Sequence, residues 1–226
     1  MEPATSEHNN SVELLGYYES DETHALSAWT STSRDLTDDK RQRIPALIKM
    51  LAEAGHHTPF EKSMLHFLVT CDTASHIHIL KHRIAVPVNA ESARYKELKD
   101  DKFYVPSDWS EIEQKWLASW LREAYERYHN TVERLVAEGL TKKRAKESAR
   151  FYLPYANQLT LDVAFNFRSF MHFQKLRNNE HAQVEIREIA QEMLRLVKET
   201  GEFNASLEGF GRGHANNATI DKPSAP

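Results

Sequence analysis

From Ser63 to Cys71, Leu65, Phe67, Val69 and Cys71 fall on one side of an extended chain and Met64, His66, Leu68 and Thr70 on the other. That is the period of a strand, and the first set is the candidate core face. Leu159, Leu161, Val163, Phe165 and Phe167 alternate in the same way and predict a strand over 159–167 with Asn166 and Arg168 at its end; Val12 to Tyr18 reads as another. Between 38 and 54 the period changes: Ile44, Leu47, Ile48 and Leu51 have helical spacing, and Gly55 supplies a C-terminal stop. Helices are also expected over 22–34, 73–81 and 141–150. Ser110-Glu111-Ile112-Glu113 fits a capping box that opens a long helix to about Glu138, with Trp116, Trp120, Ala124 and Tyr128 along one side and Gly139 closing it. A last helix over 180–200 is expected to bury Val184, Ile189, Met193 and Leu196. Strands and helices do not alternate as in a doubly wound sheet, so the fold class is α+β. Residues 1–200 read as a single catalytic domain and 201–226, where Gly, Asn, Ser and Pro accumulate, as a mobile tail.

The composition is that of an ordinary soluble globular chain: 226 residues, 40% hydrophobic and 27% charged. A net charge of −4 argues against bulk nucleic-acid binding, which needs a positive field to displace counterions. No apolar run approaches the length of about 20 residues that a membrane span needs, and the N-terminus lacks a hydrophobic signal segment, so a cytoplasmic protein with no membrane partner is expected. The single Cys71 has no partner for an internal disulfide and reads as a buried strand thiol rather than a nucleophile.

Against this acidic background the cations cluster. Ile79 to Tyr95 packs Lys81, His82, Arg83, Ser92, Arg94 and Tyr95 into one short run, which suits phosphate: Arg binds two oxygens at once, Lys acts as a point charge and Ser adds a neutral donor. Ser92 has no base at fixed spacing, so a phosphate-binding hydroxyl is the better reading than a nucleophile. A second mixture of Arg, Asn, His and apolar residues runs from Ala149 to Pro154 and from Asn166 to Ile186.

Taken together these segments resemble the flavin-dependent thymidylate synthases. That family's signature is Arg-His-Arg, seven residues, then Ser and often Arg-Tyr, matched by Lys81-His82-Arg83 leading to Ser92, Arg94 and Tyr95. The family stretch N-A-R-S-L-M-N-F, L-R, S-H-A-Q-W-E-I-R is echoed from Asn166 to Arg187, and its H-x-T/S-P-F-E run by His56 to Glu61. The resemblance covers roughly Val12 to Lys198. Departures are equally specific: Lys81 replaces the first Arg, eight residues rather than seven separate Arg83 from Ser92, His78 stands where the family has Gln, His172 where it has Asn, and Ala90 where it has an acid, with Glu91 displaced by one. The extra residue falls near Pro87-Val88, and proline there pushes Val86 toward an extended conformation.

The resemblance implies a sheet, antiparallel or mixed, packed with long helices, and a homotetramer whose active sites are shared between subunits. It implies C5-methylation of a uracil nucleotide, dUMP to dTMP, with methylenetetrahydrofolate as carbon donor and FAD reduced by NADPH as hydride donor. Carried over by position, His56, Thr58, Lys81, His82, Arg83, Asn166, Arg168 and His172 would hold the flavin. His78, Glu91, Ser92, Ala93, Arg94, Arg150 and Arg177 would meet the nucleotide. Arg177 is the candidate catalytic residue, since a guanidinium beside the pyrimidine edge stabilises charge developing on the ring. His181 either donates to base or flavin or caps a helix. The departures admit a relative that methylates UMP or another pyrimidine nucleotide, the added 2′-hydroxyl needing room and a partner. Two rivals are a flavin carrier without catalysis and a metal protein built on His56, His57, His76, His78 and His82. No carboxylate motif completes such a histidine set, and no metal is expected.

Overall fold

The computed structural model describes residues 9–92 and 101–213. Four strands, β1 (Ser11–Tyr18), β2 (Met64–Asp72), β3 (Val88–Ala90) and β4 (Gln158–Phe165), form one sheet in the order β1-β2-β4-β3, and every pair is antiparallel. The register sets Leu65 opposite Phe165, Phe67 opposite Val163 and Val69 opposite Leu161, so the two alternating apolar sets meet on one face. All six side chains, and Cys71, are fully buried. A bulge between Leu14 and Gly16 lets β1 leave the regular register, and Leu15 is exposed.

Among the described residues eight helices accompany the sheet: α1 (Asp21–Trp29), α2 (Asp38–Glu53), α3 (Thr73–Leu80), α4 (Glu111–Ala137), α5 (Lys142–Ala149), α6 (Phe167–Arg177), α7 (Val184–Thr200) and α8 (Asn204–Gly209). Short 3-10 turns occupy Thr58–Glu61 and Arg150–Tyr152. Helices α6 and α7 share the sheet's buried core: Phe170 stacks on Phe67 with ring centroids 5.8 Å apart, Phe173 meets Phe165 at 5.3 Å, and α7 contributes Ile186, Ile189, Met193 and Val197.

Several expectations are corrected by local hydrogen bonding. Helix α1 stops at Trp29, not Arg34, because the hydroxyls of Thr30, Ser31 and Thr32 turn back to the carbonyls of Leu26, Ala28 and Trp29. Strand β4 ends at Phe165 because the Asn166 side chain accepts the Ser169 N–H at 2.8 Å and starts α6; Phe167 is buried as a helix residue. The stretch before α7 is a turn in which Asn179 Oδ1 accepts the His181 N–H, so the helix begins at Val184, which is itself exposed, while Leu196 is half-buried.

On α4 the capping serine holds, Ser110 Oγ accepting the Glu113 N–H at 3.3 Å, yet Trp116 and Trp120 are exposed. The buried stripe is Ala118, Leu121, Tyr125, Tyr128 and Val132. A series in steps of four drifts by roughly 40° per step around a helix of 3.6 residues per turn, so Trp116 and Tyr128 cannot share a narrow face. Helix α4 builds two small cores, one with α5 and one with Phe103 and Val105.

Two further elements went unread in the sequence. Residues 88–90, expected as loop, pair with β4 as its edge strand, and Pro87 adds a carbonyl that accepts the Ala164 N–H at 3.1 Å. Past residue 200, where a mobile tail was expected, Phe203 and Leu207 are buried and α8 packs on α2. Asp21 accepts the N–H groups of Ala205 and Ser206 at 2.6 and 2.9 Å, fixing the start of α8. Residues 214–226 lie outside the described residues.

Candidate functional site

Helix α3 begins where the Asp72 carboxylate caps it, accepting the Ser75 N–H at 2.8 Å, and this short helix delivers His78 and the Lys81-His82-Arg83 run to one end of the core. Helix α6, capped by Asn166, carries Arg177 at its C-terminal end. The two meet at His82, whose ring lies edge-on to Phe173 at 5.0 Å and 6.0 Å from the ring of His172. Arg177 completes the junction: its Nε donates to His82 Nε2 at 3.1 Å and its Nη1 to His78 Nδ1 at 3.1 Å. Ser169 Oγ donates to the Ile84 carbonyl at 2.8 Å and ties the chain leaving α3 to α6.

Burial sets the charge states here. His82 is 8% exposed, and burial, then Arg177, His172 and His78, lower its pKa to about 4. Burial and Arg177 also lower His78. Both rings are therefore neutral at physiological pH, and the fixed positive charge of the junction is carried by Arg177 and by Lys81 and Arg83. Lys81 and Arg83 are exposed and have no acidic partner among the described residues. Exposed Arg and Lys side chains of this kind offer charge-assisted donors to an anion.

The other residues singled out in the sequence are distributed as follows. Arg168, at the start of α6, is ion-paired with Glu61 of the Thr58–Glu61 turn, which brings the His56-to-Glu61 run against α6. His56 and Thr58 are exposed there, and His172 is exposed on α6. Glu91 continues the β3 pairing: its N–H donates to the Thr160 carbonyl and its carboxylate accepts the Thr160 N–H, each at 2.9 Å. Ser92 follows, half-buried, while Ala93 and Arg94 lie outside the described residues. Arg150, exposed in the 3-10 turn after α5, has no partner among the described residues. His181 is exposed beside Glu180 at 3.5 Å and does not cap α7, whose N-cap is Gln183.

The histidine set and Cys71 are also placed. His78 and His82 do converge, but what they meet is a guanidinium. The Cys71 thiol is buried and its pKa is raised by that burial, opposite to what a nucleophile needs.

Sequence reasoning missed two contributors. Glu61 was inside a quoted motif without a role, and its pairing with Arg168 links two motifs that are 107 residues apart. Arg212, in the segment expected to be a tail, donates to the carbonyls of Gln174 and Asn178 at 3.2 and 3.5 Å and so supports the C-terminal end of α6, the end that carries Arg177. Nothing in the local sequence signals that contact, because it depends on how α8 docks.

The family profile described as thymidylate synthase complementing protein matches residues 13–200. A flavin-dependent thymidylate synthase from Pseudothermotoga lettingae is 31% identical over 194 residues, 83% of this chain and 84% of that one. One from Kosmotoga olearia is 28% identical over 203 residues, 83% of each. Among solved structures, the UMP/dUMP methylase PolB from Streptomyces cacaoi bound with 5-Br dUMP superposes with a TM-score of 0.75 at 27% identity, covering 91% of this chain and 96% of that one. The same enzyme bound with 5-Br UMP gives 0.73 at 26% identity, covering 92% and 97%. Motifs, fold and relatives coincide over the same residues, and the chain belongs to the flavin-dependent thymidylate synthase family.

Proposed function

We propose that this protein is a flavin-dependent C5-methylase of a uracil nucleotide, converting dUMP to dTMP with methylenetetrahydrofolate and NADPH as co-substrates. The observation that carries the proposal is the Arg177 guanidinium held between two neutral imidazoles, close in sequence to Lys81 and Arg83, exposed cations with no acidic partner among the described residues. A uracil ring attacks through C5 most readily when negative charge on its N3, O2 or O4 edge is stabilised, and a preorganised guanidinium does this without reorganising during the reaction.

The donors present fit FAD: Lys81 and Arg83 would take its diphosphate, with Thr58, His56, Asn166, Arg168 and His172 around them on the adjoining turn and on α6. When bound, the flavin would supply the hydride that completes the methyl group. Ser92, Arg94 and Arg150 would hold the nucleotide phosphate. Homotetramer formation is supported by the exposed Trp109, Ile112, Trp116 and Trp120, a stripe at helical spacing along α4 and its approach. A soluble cytoplasmic enzyme fits these properties; among the described residues no helix is long and apolar enough to cross a membrane.

A second reading, UMP as the preferred substrate, has its own support. The neighbouring methylase is described with analogues of both UMP and dUMP. In this chain the residue before the signature serine is Glu91, tied to β4, and the segment from Arg83 to Ser92, one residue longer than the family signature, contains the edge strand β3 and Ala85 at φ 53°. The test is product formation by purified yellow protein given NADPH and methylenetetrahydrofolate with dUMP and UMP in parallel. Higher efficiency with dUMP supports the first reading, higher efficiency with UMP the second, and flavin oxidation without methylation of either would overturn both.

A further inference from the structure

Arginine carries five N–H donors and no acceptor, so in both contacts with Arg177 the imidazole nitrogen must accept. This fixes two tautomers: His78 accepts with Nδ1 and carries its proton on Nε2, whereas His82 accepts with Nε2 and carries its proton on Nδ1. His78 is in the last turn of α3 and His82 is two residues past its end, where the His82 N–H still donates to the Ile79 carbonyl at 3.0 Å, and both rings reach the same guanidinium on α6. Neither ring can do this once protonated, because it then has no lone pair and would repel the guanidinium.

We infer that His78 is a positioning residue for Arg177. With His82 it holds the guanidinium by two of its five N–H groups and leaves three to face the nucleotide. The inference rests on the methylase reading and adds to it how Arg177 is aimed. A free arginine side chain samples many rotamers, and each ligand contact would have to order it; a side chain already anchored at Nε and Nη1 is preorganised. The requirement at position 78 is chemical and narrow: an uncharged acceptor within reach of Nη1. Glutamine, the residue expected there from the family resemblance, meets it through its carbonyl oxygen; leucine offers no acceptor and lysine adds a repelling charge.

The test compares His78→Gln and His78→Leu, each alone and on an Arg177→Ala background, by kcat and KM for dUMP and UMP, by flavin content and by calorimetric affinity for both nucleotides. His78→Leu is expected to lower kcat about tenfold to a hundredfold for both nucleotides alike while retaining flavin and melting temperature. His78→Gln is expected to stay within about threefold of the parent, and His78→Leu to weaken nucleotide binding no further once Arg177 is gone. Unchanged kcat in His78→Leu, an effect confined to the dUMP-to-UMP ratio, or an equal loss of affinity with and without Arg177 would overturn the positioning role. A wild-type protein that methylates neither nucleotide would refute the methylase reading instead, and the four calorimetric affinities would still decide whether His78 acts through Arg177.

Discussion

Two buried histidines in this molecule have nearly the same acidity and different work. His24 on α1 is fully buried, its Nδ1 2.9 Å from Ser206 Oγ and its Nε2 2.9 Å from Ser63 Oγ, with Asp21 accepting the Ser206 hydroxyl at 2.5 Å. His82 is almost as buried but faces a guanidinium and a second histidine, and its chain neighbours Lys81 and Arg83 are exposed cations. Burial lowers both to about 4. At His24 no other lowering cause acts and the ring closes a tie between α1, the residue before β2 and α8, whereas at His82 three neighbouring charged or titratable groups add to burial. A depressed pKa therefore does not by itself identify a functional residue; the partners do, and only His82 has partners with bonding capacity left for a ligand.

The largest expected effect breaks the His82 side of this comparison. Arg177→Ala should lower kcat for nucleotide methylation by about a thousandfold while flavin absorbance and melting temperature stay near wild type, because the residue is half-exposed and holds no core. Steady-state kinetics with a flavin spectrum check this. His24→Ala should do the reverse. Removing the ring leaves two buried serine hydroxyls short of partners and a cavity, costing about 3 kcal/mol of stability, roughly 10 °C in melting temperature, with kcat per folded molecule unchanged.

The two rings also predict a shared pH response. Each folded-state pKa is about 4 against an ordinary 6.5, so the unfolded chain takes up protons first as pH falls. The associated stability is fully present above 6.5 and is lost through the window down to about 4, at up to about 1.4 kcal/mol per pH unit for each ring. Asp21, raised by burial, works in the opposite direction at the acidic end. Denaturant titrations across this window should show a steep decline in the wild type and a shallower one in His24→Ala.

A smaller effect is expected from Arg212→Ala, which removes two contacts to the end of α6: a loss of about 1 kcal/mol and a kcat lowered severalfold, with Arg212→Lys recovering part of it. The smallest concerns Ala85, a residue with a Cβ in the left-handed region at φ 53°. Ala85→Gly should raise stability by about 0.5 kcal/mol, measured as a shift in denaturation midpoint at constant slope.

How much of this was legible in the sequence follows the range of the forces involved. The core faces of β2 and β4 were readable because burial on one side imposes a period of two, and Leu65 through Cys71 kept it without exception. The start of α4 was readable because Ser110 caps locally. Strand β3 was not, since three residues beside a proline carry no periodicity of their own and are defined by pairing to residues more than 70 positions away. The docking of α8 was missed for the same reason: Phe203 and Leu207 are isolated apolar residues in a polar segment, and they find their place through Asp21, α2 and the stacking of Phe203 on Phe167. For the site, the motif cations were legible as types. That two of the three histidines beside them serve as neutral acceptors for Arg177 emerges only once α3 and α6 are packed.

The most direct measurement is tritium release from 5-tritiated dUMP and UMP incubated with the flavin-loaded protein, NADPH and methylenetetrahydrofolate. Release from at least one nucleotide, matched by methylated product and absent in flavin-loaded Arg177→Ala, is the expected result. Full release and methylation by Arg177→Ala, or none by the wild type on either nucleotide, would contradict the assignment.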